Sequence, residues 1–496
     1  MKILFAASEC APFIKTGGLG DVVGTLPAAL AAQGAGVAVV LPKYRGIPRE
    51  WKRAMHPRLS FYVSLGWRKQ YCGVEALERG GVTYFFLDNE HYFGGESVYG
   101  KGEFEGERFA FFCRAVLESL PHIGFAPDVL HCNDWQTGLV PLLLNTQYSN
   151  LPGYERVKTV FTVHNLAYQG VFEWAGVRDL LGVDEACFTP DAIEFFGKAS
   201  FMKAGLKFAD LVTTVSPTYA KEIAGDEFGE NLGAFIRYQV REVAGILNGI
   251  DNSDYDPKTD GGIEANFCAE DFSGKQACKR ALQEEMGLNP DETVPLIGMV
   301  TRLTEQKGLD LVECVFEDIF FRDVQMALLG SGERRYVDLF NWGAFRYPGR
   351  CGVYIGMNEG LSRRIFAGAD MLLMPSKFEP CGLTQMIAMR YGTLPIVRET
   401  GGLADTVAPY NEYEDTGYGF SFTNFNAHDM LFTVDRALGF YGDRATWARL
   451  MRRAMAMDFG WGSSAREYMG AYEKVLSRAQ TTAEERYAGS AEEEQR

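Results

Sequence analysis

The sequence predicts an α/β protein of two successive domains, each a sheet of buried strands joined by crossover helices. Three observations predict it. Short apolar runs without alternation recur along the chain, each ending in a polar or glycine-rich cluster, as strands buried on both faces do. The chain has 496 residues, more than one hydrophobic core ordinarily serves. The alternation of strand and helix also breaks at Ile246-Leu-Asn-Gly-Ile-Asp251, followed by Asp256-Pro257, and restarts near Pro295. The boundary is set at that joint, giving a first domain over 1–245 and a second over 246–459.

Composition narrows the class. The chain is 47% hydrophobic and 23% charged, ordinary for a globular enzyme. Its formal net charge of −16 argues against nucleic acid or an anionic membrane as partner. An anionic ligand would therefore need locally concentrated cations. No apolar run is long enough to span a bilayer. Glu9 interrupts the first apolar run, Met1–Ala7, so that run reads as a buried strand and not a secretory signal. The ten cysteines show no C-x-x-C pair and no zinc spacing, so no metal is expected. Reduced thiols and a cytoplasmic location are the expectation.

In order, strand Lys2–Ala7 runs into Lys15-Thr-Gly-Gly-Leu-Gly-Asp21 and a helix through Val22–Gln33. Gly17, Gly18 and Gly20 allow a tight turn and close backbone approach to a phosphate at the helix start. A dinucleotide site would want G-x-G-x-x-G and a later acid; here the spacing is G-G-x-G, with Lys15 added as a cation beside the turn. Val37–Leu41 is the next strand, residues 60–90 read as antiparallel decoration, and Arg108–Leu120 as an amphipathic helix. Strands Val129–His131 and Thr159–Val163 end in Cys132-Asn-Asp-Trp-Gln136 and His164-Asn-Leu-Ala-Tyr-Gln-Gly170. Polar groups at the carboxyl ends of parallel strands face a ligand crevice, so Asp134, Trp135, His164 and Asn165 are candidates. The competing reading is turn chemistry, which suits Asn and Asp but not His. Leu211–Val215 is followed by Ser216-Pro217, a cap for the helix through Ile223.

In the second half, Pro295–Val300, Met326–Leu329, Val353–Ile355, Met371–Met374 and Leu394–Val397 are buried strands. Arg302 and Lys307 bracket the first crossover loop and would make a diphosphate clamp if both point into the crevice. The loop Ser376-Lys-Phe-Glu-Pro-Cys-Gly-Leu-Thr-Gln-Met386 carries one carboxylate, Glu379, between a strand and the helix Thr384–Tyr391. Thr400-Gly-Gly-Leu-Ala-Asp405 nearly repeats Thr16–Asp21 and reads as a second anion-binding helix start. Ala465, Tyr468, Met469, Tyr472, Val475 and Leu476 fall on one helical stripe, and residues 479–496 read as an acidic, disordered tail.

Together these segments resemble the family of bacterial glycogen synthases and plant starch synthases, retaining glycosyltransferases of GT-B architecture. The resemblance runs from Met1 to about Leu476. It rests on the Lys15–Val22, His131–Trp135, Thr162–Gly170, Thr214–Tyr219, Gly245–Asp251, Arg302–Gly308, Glu379–Gln385 and Thr400–Leu403 segments, in that order. It implies two Rossmann-like domains facing a deep cleft, with the final helix, 460–478, completing the first. It implies transfer of glucose from ADP-glucose to the non-reducing end of an α-1,4-glucan such as glycogen, with retention and without a metal or other cofactor.

Carried over, Lys15 and the Gly17 and Gly18 amides would serve the donor, and Arg302 and Lys307 the diphosphate. Glu379 would hydrogen-bond the glucose, Cys381, Gly382, Leu383 and Thr384 would line the donor pocket, and His164, Asn165 and Asp134 would lie near the sugar. Two positions depart from common relatives: Ile387 stands where many GT-B transferases carry a second glutamate, and Met357 where relatives often carry a Tyr that could stack on the base. Another retaining GT-B transferase using UDP-glucose, or a catalytically silent glucan-binding relative, are the alternatives.

Overall fold

The computed structural model describes residues 1–493, with side chains through residue 478. The chain divides into two compact units, Met1–Gly249 with Trp461–Arg496, and Ile250–Gly460.

The first unit is built on a nine-stranded sheet. Its spatial order is Val243–Gly245, Leu211–Thr214, Lys158–Val163, Val129–Asn133, Lys2–Ala6, Gly36–Pro42, Val82–Asp88, Arg68–Arg79 and His56–Leu65. The first seven strands pair in parallel. The last two add antiparallel. Residues 60–90 are thus only partly decoration: Val82–Asp88 is a parallel member, laid against Gly36–Pro42. Its Tyr84-Phe-Phe-Leu87 run is buried on both faces, as a central strand requires. The helix after the first strand spans Gly18–Ala32, starting at the second glycine and not at Val22.

The helix beginning at Trp461 belongs to this unit and runs to Glu493, beyond the expected end at 478. Of the expected disordered tail, residues 494–496 lie outside the described residues. Ala465, Tyr468, Tyr472 and Val475 on the expected stripe are buried. The Tyr472 hydroxyl meets His131 Nδ1 at 2.7 Å; His131 Nε2 meets Thr162 Oγ1 at 2.6 Å, and Thr162 meets Thr213 at 2.6 Å. This buried polar ladder crosses three neighbouring strands and ties the last helix to them. Burial pushes the His131 pKa down to about 3, so the ring is neutral and the ladder carries no charge.

The second unit is a six-stranded sheet, parallel throughout, in the order Cys351–Ile355, Gln325–Gly332, Leu296–Leu303, Met371–Met374, Leu394–Arg398 and Phe420–Phe422. Two strands are longer than expected. Leu296–Leu303 and Gln325–Gly332 stay paired through Leu303 and Gly332. A Cβ on Gly330 would lie 2.3 Å from Thr301 O, and one on Gly332 2.3 Å from Leu303 O, so only glycines let the pairing continue there. Arg302 consequently sits on a strand and not in the loop.

In chain order this sheet reads 3-2-1-4-5-6, the doubly wound arrangement in which strand order reverses beside the first strand. The parallel strands of the first unit show the same reversal, between Lys2–Ala6 and Val129–Asn133. Loops leaving the two strands at such a switch point diverge to opposite faces and leave a crevice at their carboxyl ends. Each unit therefore has one place where a ligand is accommodated without opening the core.

Candidate functional site: two switch-point loop clusters

In the second unit the strands flanking the switch point are Leu296–Leu303 and Met371–Met374. The first is followed by the turn Glu305–Lys307, the second by the 376–386 loop. Their ends bring Lys307 Nζ within 2.5 Å of Glu379 Oε2, and Ser376 Oγ donates to the same oxygen at 3.1 Å. Both charged side chains are largely buried, 15% and 9% exposed. In that setting removing either member leaves an uncompensated charge.

The Glu379 loop is held from several sides. Lys377 N–H donates to Gln306 O at 2.9 Å, and Arg398 Nη1 donates to Lys377 O at 2.6 Å. Gln385 Nε2 donates to Cys381 O at 3.1 Å and to Gly382 O at 2.9 Å. Gly382 has φ +73°, the left-handed region that suits a residue without Cβ. Cys381 is buried, and Gly382, Leu383 and Thr384 are partly exposed at the start of the helix Thr384–Arg390. Arg302 is exposed. Ile387 is buried in the core and Met357 is exposed.

At the second glycine-rich helix start the Gly402 amide is already engaged. Gly402 N–H donates to Glu379 O at 3.1 Å and to Pro380 O at 3.2 Å. A Cβ on Gly401 would lie 2.0 Å from Glu379 O, and one on Gly402 2.1 Å from Cys381 O. These glycines admit the backbone of the Glu379 loop, which takes the amide a phosphate would need.

In the first unit, the loop after Lys2–Ala6 is organised by a residue that sequence reasoning passed over. Glu9 is buried, and its carboxylate accepts from Thr16 Oγ1 at 2.7 Å, from Gly17 N–H at 3.2 Å, and from Thr16 N–H and the Tyr99 hydroxyl. The Gly17 amide, expected for the donor, is thus already engaged. Gly18 opens the 15-residue helix Gly18–Ala32, and Lys15 pairs with Asp21 at 2.6 Å on the exposed side. An acid at the carboxyl end of the first parallel strand was the signal that could have singled out Glu9.

Across the switch point, Asp134 has φ +56°, a strained geometry for a residue with a Cβ. Its Oδ1 accepts His164 N–H at 2.7 Å and Asn165 N–H at 3.4 Å, tying the ends of Val129–Asn133 and Lys158–Val163 together. Burial raises the Asp134 pKa to about 7, against the lowering effect of those two amides, with the Glu9 charge adding to the rise. His164 Nε2 lies 2.9 Å from Asn133 Oδ1, and burial pushes the ring pKa down to about 3, so it is neutral. Asn165 Oδ1 accepts from Ala167 N–H at 3.1 Å, the turn chemistry that competed with a binding role. Trp135 is buried against Phe109, Phe172 and Phe201 and forms one wall of a cavity of about 450 Å³ that Tyr168, Gln169, Phe195 and Glu230 also line. Among the described residues no group of three His, Cys, Asp or Glu side chains is placed to hold a metal ion, and no helix is long and apolar enough to cross a membrane.

Comparison with known proteins matches this geometry to a family. Residues 2–238 match the starch synthase catalytic domain, and residues 283–446 match the glycosyl transferases group 1 domain. The chain is 53% identical to the glycogen synthase of Geobacillus thermodenitrificans over 482 residues, 97% of this chain and 99% of that one. It is 50% identical to the glycogen synthase of Bacillus subtilis over 476 residues, 96% of this chain and 98% of that one. Among solved structures it resembles the catalytic domain of starch synthase IV from Arabidopsis thaliana, bound to ADP and acarbose. That match has TM-score 0.88 and 33% identity, covering 96% of this chain and 99% of that one. A sucrose-phosphate synthase from Thermosynechococcus elongatus shares the fold alone, at TM-score 0.61 and 18% identity over 96% of this chain and 99% of that one. With its two doubly wound sheets and its switch-point loops, the chain belongs to the bacterial glycogen synthase and plant starch synthase family, glycosyltransferases of GT-B architecture.

Proposed function

We propose that the protein is a glycogen synthase that transfers glucose from ADP-glucose to the non-reducing 4-OH of an α-1,4-glucan with retention of configuration. The observation that carries this is the Lys307–Glu379 pair, 2.5 Å apart and buried at the switch point of the second unit. Breaking a glucosyl–phosphate bond builds negative charge on the departing diphosphate and positive charge on the sugar. A fixed ammonium beside the leaving group stabilises the first, and a carboxylate beside the sugar orients it by hydrogen bonds.

In this reading Lys307 and Arg302 serve the diphosphate, Glu379 the transferred glucose, and Cys381–Thr384 the donor pocket. Lys15 and Gly18 serve the donor, and neutral His164 lies by the glucose. The Tyr168 and Phe195 rings, set beside Gln169 and Glu230 around buried Trp135, suit a sugar ring of the glucan acceptor. ADP as the nucleotude is supported by the ligand of the Arabidopsis relative.

A retaining hydrolase would want two carboxylates about 5–5.5 Å apart, one acting as nucleophile. Glu379 instead has a lysine as its partner, which favours same-face transfer, with the leaving diphosphate helping to take the acceptor's proton. Recovery of a covalent glucosyl-enzyme on Glu379 or Cys381 would rule that route out.

The direct test is incorporation of labelled glucose into glycogen from ADP-glucose and, in parallel, from UDP-glucose. Incorporation from ADP-glucose is expected; incorporation from UDP-glucose alone, or from neither, contradicts the proposal. Lys307→Ala and Glu379→Ala are each expected to lower turnover by about 10²–10³-fold while the protein stays folded by circular dichroism. Near-normal rates in both would remove the pair from the chemistry.

A further inference from the structure

We propose that Asn133 is a positioning residue that locks the His164 imidazole in the Nε2–H tautomer, so that Nδ1 presents a lone pair to a hydroxyl of the transferred sugar. The tautomer half stands on hydrogen-bond geometry alone; the sugar half rests on the transferase reading given above.

The amide of Asn133 is buried at the end of strand Val129–Asn133. Its Nδ2 lies 3.1 Å from Ala6 O and 3.2 Å from His131 O. Both neighbours are carbonyl oxygens and can only accept. Rotating the amide by half a turn would set its own oxygen against those two and break both hydrogen bonds. The orientation is therefore fixed by the main chain of two adjacent parallel strands, Lys2–Ala6 and Val129–Asn133.

It follows that Asn133 Oδ1 is the atom facing His164 Nε2, 2.9 Å away. An amide oxygen has no proton to give, so the imidazole nitrogen must carry one. A neutral ring with hydrogen on Nε2 has none on Nδ1. Neutrality is favoured by burial, which pushes the His164 pKa down to about 3. The groups around the ring do not reverse this. Asp134 spends its Oδ1 on the His164 and Asn165 amides, and the neighbouring His131 ring is itself neutral. His164 is partly exposed, and among the described residues no side chain or carbonyl takes its Nδ1.

A neutral acceptor at that position does a specific job. It takes a hydrogen bond from a hydroxyl without adding positive charge beside a sugar that is itself becoming positive. It also discriminates, because a donor sugar lacking that hydroxyl leaves the acceptor unpaired. The Asn133 amide costs nothing to reorganise during the reaction, since its direction is set by the sheet.

The test reads the tautomer directly in the full-length protein. Long-range proton–nitrogen correlation on ¹⁵N-histidine-labelled enzyme distinguishes protonated from unprotonated ring nitrogens, and His164→Asn identifies the His164 signals among the six histidines. The expected spectrum without substrate has Nε2 protonated and Nδ1 unprotonated, unchanged between pH 6 and 8. A Nδ1–H spectrum, or a ring that titrates near neutral pH, overturns the assignment.

In Asn133→Leu the ring is expected to mix tautomers and turnover to fall about 10–100-fold, with donor KM changed far less. Unchanged turnover with a scrambled tautomer overturns the positioning role. Asn133→Asp, which keeps an acceptor at the same place, is expected to retain the Nε2–H form. It decides the matter should the leucine variant fail to fold, and a Nδ1–H ring there overturns the proposal. An enzyme with the expected spectrum but no transfer from any sugar nucleotide overturns the transferase reading and the sugar role, and upholds the tautomer.

Discussion

Asp134 is tuned by opposing forces, and the balance is readable as a dependence of stability on pH. Burial and the nearby Glu9 charge raise its pKa to about 7, while the His164 and Asn165 amides lower it. An unfolded aspartate titrates near 3.9, so the folded state holds the proton more tightly than the unfolded state. The stability linked to that proton is fully present below about pH 4 and is lost as pH rises through about 7. Asp134→Asn keeps an oxygen for both amides and removes the titration. The variant is therefore expected to melt higher than the parent at pH 8.5, by on the order of 1–3 kcal/mol. The gap should close as pH falls toward 4. A constant gap across that range would mean that the substitution acts through packing and not through charge. Glu9 shows the same economy at the neighbouring strand end. One carboxylate collects Thr16, Gly17 and Tyr99, so the loop is shaped before any anion arrives.

At the scale of elements, the 376–386 loop depends on glycines that lie some twenty residues later in the chain. Gly402→Ala places a methyl where Cys381 O and Cα stand 2.1 and 2.4 Å away, a contact only backbone movement can relieve. Overpacking of this kind costs about 1–3 kcal/mol, and here it falls on the loop that carries Glu379. The expected result is a loss of turnover comparable to Glu379→Ala with an unaltered far-ultraviolet spectrum. Full activity would show that the loop tolerates displacement. The same glycines mark where sequence reasoning stops. Thr16–Asp21 and Thr400–Asp405 look alike in the sequence, because a glycine pair at a helix start serves either an anion or an approaching backbone. What stands opposite decides between them, and that is set by tertiary contacts. Met371–Met374 and the Glu379 loop were legible because an apolar run, a proline and a lone acid sit in sequence order. Glu9 was not, since its partners Thr16 and Tyr99 come from two separate loops. Strand ends escape the sequence for a related reason: Thr301–Leu303 looks loop-like by composition and is strand only because Gly330 and Gly332 lie alongside.

At the scale of the whole molecule, the chain leaves its first unit after Gly249 and returns to it at Trp461. The first unit is therefore incomplete until the last helix is made. Ala465, Tyr468 and Tyr472 in that helix are fully buried, Val475 nearly so, and Tyr472 ends the polar ladder through His131, Thr162 and Thr213. Removing one large buried aromatic costs about 3–5 kcal/mol, and a domain's whole stability is about 5–15 kcal/mol. Two such residues, together with the hydrogen bond lost from His131 Nδ1, reach that total. A fragment of residues 1–249 is accordingly expected to be unfolded or aggregated alone, and to recover cooperative melting when a peptide spanning 461–478 is joined to its end. Residues 250–460 form one continuous stretch with their own parallel sheet, so that fragment is expected to fold and melt cooperatively by itself. Tyr472→Phe in the full chain separates the two contributions of the helix. It keeps the ring in the core and removes only the hydroxyl from His131, so a loss of about 1 kcal/mol is expected against several for Tyr472→Ala. Equal losses for the two substitutions would place the weight on the hydrogen bond. A fragment 1–249 with native-like melting would show that the first sheet holds its own core, leaving the returning helix to cover it.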